Sequence, residues 1–146
     1  MKPSDTAVTA WAGLIRAQQV LLERVEADLK AAGLPPLGWY DVLIELRRTE
    51  NARLRQYELG DKVLLSKHNL SRLLDRLEEE KLVKRQPCKE DGRGAVVTIT
   101  ASGKALQKKM WPVYERAIER YFAQHLSKSQ AEQLAELMRR LVAEPA

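Results

Sequence analysis

The sequence is poor in the residues that build covalent, metal or catalytic sites. In 146 residues it has one cysteine, Cys88, and two histidines, His68 and His125. A single cysteine excludes an intrachain disulfide and suits a reducing cytoplasm. The histidines fall in separate segments, and no metalloprotease HExxH, phosphate-binding P-loop or GxSxG elbow occurs. No metal, cofactor or catalytic residue is therefore expected, and enzyme readings have nothing to rest on. Long apolar runs are missing too. None approaches the ~18 residues of a membrane span. Lys2 before the apolar 7–15 segment faintly resembles a leader peptide, but Asp5 lies in its would-be basic region and Arg16 directly follows. A cleaved signal is not expected. Aromatic residues make up only 5%, and few are placed to stack bases, which disfavours RNA.

What remains is an ordinary globular balance of 45% hydrophobic and 31% charged residues, enough for one domain with a real core. The net charge is +5, from 25 basic and 20 acidic residues. Between Arg47 and Arg93 there are 13 basic and 9 acidic residues, so +4 of that excess lies in the middle third. Alone this is weak support for an anionic partner.

Apolar spacing of three or four predicts a long first helix over 6–32, through Trp11, Leu14, Leu21, Val25 and Leu29. Gly33 and the Pro35–Pro36 pair stop it. Ile15 and Leu22 widen its apolar face, and a long helix with a wide stripe needs a partner. Trp39, Val42, Leu43 and Leu46 mark a short second helix, followed by a polar connection over 49–52. Then come two short helical patterns. Tyr57, Leu59, Val63 and Leu64 form the expected face of one; Leu70, Leu73, Leu74 and Leu77 form that of the next. Ser66 between them suits an N-cap. Gly60 supplies the small residue that a close crossing against Leu70 requires, which predicts a helix-turn-helix.

With the leucines inside, Lys67, His68, Ser71 and Arg72 share the exposed N-terminal part of the second of these helices. A recognition helix presents that part to the major groove. Arg72 can grip guanine or phosphate in bidentate fashion, and Ser71 and His68 can donate to either. Ser66 and Lys67 stand at the helix N-terminus, where backbone N–H groups favour phosphate. Glu78, Glu79 and Glu80 are expected to face away from DNA. Beyond Leu82, a loose alternation up to Cys88 and a β-branched run over 95–100 flank Asp91-Gly92, a hairpin-turn signal. A two-stranded hairpin with a basic tip is expected. Arg93 would enter the minor groove and Lys89 would reach a phosphate, with Asp91 aiming Arg93. Helices then return. Thr100 caps one containing Leu106, Met110, Val113, Ala117 and Tyr121, with a kink expected at Pro112. Ser127 and Gln130 form a capping box for the last, in which Ala131, Leu134, Met138, Leu141 and Val142 face inward.

These residues carry a family resemblance. The stretch LRQYELGDKVLLSKHNLSRLLDRLEEEKLVKR resembles the helix-turn-helix of the MarR family, the multiple-antibiotic-resistance regulators. EDGRGAVVTITASGKAL resembles its wing, with Asp91, Arg93, Thr100 and Gly103 in the signature places, and LGWYDVLIEL resembles its second helix. The resemblance implies a mainly α winged helix-turn-helix with a two-stranded wing, flanked by N- and C-terminal dimerisation helices. Within one domain over 1–146, the dimerisation helices would be 6–34 and 101–146, the winged helix 37–100 and the wing 83–100. It further implies a homodimer that reads a pseudo-palindromic duplex operator, often represses genes, and releases DNA when a small, often phenolic, anion binds. Trp39 matches an aromatic position near the family's ligand cleft, and Trp11 and Arg16 lie on the helix that lines it. Indole and guanidinium would suit an aromatic carboxylate or phenolate; core packing is the plainer reading of the tryptophans. Two features depart from the family. Gly92 replaces an arginine common in the wing, and Pro112 belongs to no family pattern. The family's peroxide sensors use a cysteine in the first helix, which is absent here. Cys88, beside Lys89 and near Arg85, could have a lowered thiol pKa, although an inert thiol is the simpler reading. The competing functions are a dimeric winged-helix protein-interaction module and an effector-independent DNA-binding protein.

Overall fold

The computed structural model describes residues 1–63, 65–87 and 94–143. Its elements run α1 (Asp5–Ala31), α2 (Leu37–Arg48), β1 (Arg53–Arg55), α3 (Gln56–Val63), α4 (Lys67–Glu79), β2 (Val83–Pro87), β3 (Ala95–Ile99), α5 (Ala101–Tyr121), a short 3-10 turn (Ala123–His125) and α6 (Lys128–Val142). Two compact units emerge: Met1–Asp28 with Tyr114–Ala146, and Leu29–Val113.

The second unit contains α2 to β3 and the first half of α5. Leucines at helical spacing on α2, α3 and α4 meet the inner face of a small sheet. Val42, Leu43, Leu46, Leu59, Leu70, Leu74, Leu77, Val83 and Val97 form one buried cluster. Burying each such side chain contributes about 1.5–3 kcal/mol before entropy is counted. α3 crosses α4 closely at Gly60, where an added Cβ would lie 3.3 Å from Leu70 Cδ2. The small residue expected at the crossing is there. Tyr57 is not part of that apolar face: it is 60% exposed, and Leu59 alone of α3 is fully buried.

Among the described residues the sheet has three strands, not two, in the order β1-β3-β2, all antiparallel. Leu54 and Arg85 both stand opposite Val97, which is fully buried at the centre. β1 escapes sequence reading because Arg-Leu-Arg is too short to show alternation and its partner lies far along the chain. The connection before it places Ala52 in the left-handed region, with φ of 56°.

Thr100 caps α5 as expected. Its Oγ1 accepts from the Gly103 N–H at 3.0 Å, and its hydroxyl proton is shared between the Lys81 carbonyl at 2.7 Å and the Leu82 carbonyl at 3.0 Å. Arg47 on α2 donates to Gln107 Oε1 and Lys104 O on α5, and Tyr40 stacks on Trp111 with ring centroids 6.1 Å apart. α5 remains one helix through Pro112. At the start of this unit, α1 stops before Gly33 as expected, and the structure shows that it does so in a Schellman arrangement. The Leu34 N–H donates to Leu29 O at 2.9 Å, and Gly33 has φ +72°.

In the first unit, the Tyr121 hydroxyl donates to Asp28 Oδ1 at 2.9 Å, tying α5 to α1. The Arg24 and Arg120 guanidinium groups lie 5.8 and 5.2 Å from the Tyr121 ring centre. The hydrogen bond to Asp28 pushes the phenol pKa upward. α6 begins with the expected Ser127–Gln130 capping box. The expected inward face holds only in part: Ala131, Leu134 and Met138 are half-buried, whereas Leu141 and Val142 are exposed. Trp11, Ile15 and Leu22 of α1 are exposed as well.

Candidate nucleic-acid interface

α4 owes its start to Ser66. The residue is extended, with φ −62° and ψ 157°, and its Oγ accepts from the Asn69 N–H at 3.2 Å. The Ser66 hydroxyl is thus engaged in capping, and its contribution to DNA would come through the first-turn N–H groups. Leu70, Leu74 and Leu77 fasten the inner side of the helix to the core. That rotation leaves Lys67, His68 and Arg72 exposed and Ser71 half-buried. The four sequence-predicted residues of the helix therefore lie together along its solvent side.

Two further residues share that side. Asn69 and Arg76 are exposed, and with Arg72 they follow the i, i+3, i+7 spacing of one helical stripe. An asparagine there can pair with adenine through both N6 and N7. The same leucine spacing that placed Arg72 outward also placed these two, so the signal was available in the sequence. Lys89 and Arg93 lie outside the described residues, as do Leu64, Cys88, Asp91 and Gly92.

Arg85 on β2 has a role that its position in the sequence does not reveal. Its Nη2 pairs with Asp75 of α4 and lies 3.0 Å from Glu78 Oε1. Its Nε donates to Glu78 Oε1 at 3.2 Å and its backbone N–H to Glu78 Oε2 at 3.2 Å. Glu78 thus turns toward β2, whereas Glu79 and Glu80 are exposed. The Arg85 guanidinium, followed by the Arg85 N–H, holds the Glu78 carboxyl below its ordinary pKa. A lowered folded-state pKa contributes stability at pH above the unfolded value, and the contribution is lost as pH falls through the folded value. Glu78→Gln should therefore flatten the acid limb of the stability curve. Urea unfolding at steps from about pH 6 down to pH 2 measures this; parallel curves for parent and variant would show that the carboxylate is uncoupled from folding.

The residues assigned to an effector fall in different settings. Trp11 and Arg16 are exposed on α1, five residues apart and so about 140° around the helix. Trp39 is half-buried against the hydrophobic core of the second unit. Among the described residues, no group of three His, Cys, Asp or Glu side chains could hold a metal ion, and no helix is long and apolar enough to cross a membrane.

A helix-turn-helix followed by two antiparallel strands, with a third strand at the sheet edge, is a winged helix, a class that binds duplex DNA. The MarR family model matches residues 32–94. An uncharacterized HTH-type transcriptional regulator from Bacillus cereus is 29% identical over 138 residues, which are 94% of this chain and 90% of that protein. AbsC, a MarR family transcriptional regulator from Streptomyces coelicolor, is similar with a TM-score of 0.85 and 27% identity, over 97% of this chain and 95% of its own. Another MarR family regulator from Streptomyces coelicolor, solved in complex with DNA, has a TM-score of 0.89 and 24% identity, over 99% and 96% of the two chains. The chain is thus similar over residues 32–94 to the MarR family and over nearly its whole length to transcriptional regulators.

Proposed function

We propose that the protein is a homodimeric repressor that reads a pseudo-palindromic operator and is released by a small aromatic anion. The observation that carries the DNA-reading part is the solvent side of α4, where His68, Asn69, Arg72 and Arg76 stand over a fully buried leucine face. In this reading Arg72 and Asn69 contact base edges. Lys67, Ser71, His68 and the capped helix start position the phosphates, and Arg93 and Lys89 extend the contact to the flanking minor groove and backbone. The uncovered apolar stripes of α1 and α6 support a second copy as their partner. Val8, Trp11, Ile15 and Leu22 on one helix, with Leu137 and Leu141 on the other, are the side chains a dimer would bury. The residues over 6–34 and 101–146 would then serve as dimerisation helices. Trp11, Arg16 and Trp39 offer aromatic and cationic groups to the effector, an aromatic carboxylate or phenolate.

The test is fluorescence anisotropy with the duplex flanking the protein's own gene, a scrambled duplex and a salt series. Tight binding to the flank alone, with affinity falling steeply as salt rises, is the expected result, because each neutralised phosphate releases counterions. Salicylate added to the complex is expected to lower the anisotropy. Equal, weak and salt-insensitive binding to both duplexes would favour a protein-interaction module. Binding that no aromatic anion alters would favour an effector-independent regulator.

A further inference from the structure

We propose that Glu78 is the positioning residue of the wing: its carboxylate latches the open edge of β2 to the recognition helix, so that the hairpin meets DNA at a fixed offset from Arg72. The inference rests on the DNA-binding role stated above. Among the described residues β2 pairs with β3 on one side only, which leaves its other edge without a ladder partner. Glu78 Oε2 takes that partner's place at the Arg85 N–H, at 3.2 Å. Glu78 Oε1 holds the same residue's guanidinium at 3.0 and 3.2 Å, and Asp75, one turn earlier on α4, takes the Nη2 as well. One strand residue is therefore gripped through its backbone and its side chain by two carboxylates of the recognition helix.

The geometry near the latch explains why it is needed. α4 ends at Glu79, and Lys81 turns the chain in the left-handed region with φ of 61°. Leu82 N–H closes the turn onto Leu77 O at 2.9 Å. This short link sets where β2 begins, and buried Val83 with the ladder to β3 holds the strand from its inner side. At Arg85 the helix holds the strand's open edge as well. A wing whose angle to α4 is fixed before binding loses less conformational entropy on DNA.

Charge distinguishes a latch from an incidental ion pair. Asp75 and Glu78 put two carboxylates on the helix that carries Arg72 and Arg76. By Coulomb's law alone, removing either should strengthen binding to DNA. The latch makes the opposite prediction for Glu78.

The test uses the full chain and a duplex that the parent protein selects from a random pool. Glu78→Ala is expected to bind about tenfold more weakly despite its added positive charge, since hydrogen bonds to charged groups are removed. Its salt slope should fall by about one unit for each phosphate that the wing no longer neutralises. Without DNA, hydrogen exchange at the Arg85 amide should accelerate while the α4 core amides keep their protection, which also shows that the variant is folded. Glu78→Gln keeps an oxygen for the Arg85 N–H and should recover part of the affinity. Equal or tighter binding by Glu78→Ala overturns the proposal. So does weaker binding with an unchanged slope, or unaltered exchange at Arg85. If the parent selects no duplex at all, the DNA-binding role itself fails, and the exchange experiment alone decides whether the latch exists.

Discussion

Arg72→Ala is expected to weaken operator binding by about 1–3 kcal/mol, roughly five- to more than a hundredfold, and to relax the choice of base at one position in each half-site. Arg72 lies on the solvent side of α4, two residues after the buried Leu70 and two before the buried Leu74. Its planar fork matches the O6 and N7 acceptors of guanine, an arrangement that a lysine ammonium does not reproduce. Arg72→Lys should therefore retain the salt slope and lose much of the discrimination. Titrations against the operator and single-base variants separate the cases. A uniform loss on every duplex would make Arg72 a phosphate contact, and no loss would remove it from the interface.

Gly103→Ala is expected to destabilise the fold by about 3 kcal/mol, toward the upper end for overpacking. A Cβ at this position would lie 2.3 Å from Leu82 O and 2.7 Å from Ile99 Cγ1. The Leu82 carbonyl has little freedom to retreat, because it accepts from the Thr100 N–H at 3.0 Å and the neighbouring Lys81 carbonyl is held by the Thr100 hydroxyl at 2.7 Å. Alanine's better helix propensity, about 1 kcal/mol, offsets only part of the clash. Urea unfolding of parent and variant measures the difference. A loss under about 1 kcal/mol would mean that the start of α5 shifts to make room. The consequence for DNA is indirect. Leu82 leads into β2, so a displaced carbonyl would disturb the strand that Arg85 anchors.

The two glycines show how unevenly the structure was legible. Gly60 could be assigned from sequence because the helices that cross there are separated by only three residues, and leucine spacing sets which sides meet. Gly103 could be noted only as part of a family signature, Thr-x-x-Gly. Its physical reason is the Leu82 carbonyl, about twenty residues earlier, which becomes its neighbour only once the sheet has formed. β1 was missed on the same grounds: Arg-Leu-Arg has no pattern of its own and becomes a strand by pairing with β3. Tyr57 and the end of α6 were misassigned for a different reason. Helical periodicity identifies an apolar stripe without saying whether the same chain covers it.

The local code by itself determined the helices, their caps at Ser66, Thr100 and Ser127, the close crossing at Gly60 and the outward set from Lys67 to Arg72. These depend on spacing and on bonds between residues three or four apart, which any local stretch of chain already contains. Tertiary structure decided the third strand, the close approach at Gly103 and the grip of Asp75 and Glu78 on Arg85. Those features join residues that sequence order keeps apart. A carboxylate on a helix surface has no assigned partner until the fold brings a strand edge and a guanidinium within about 3 Å of it.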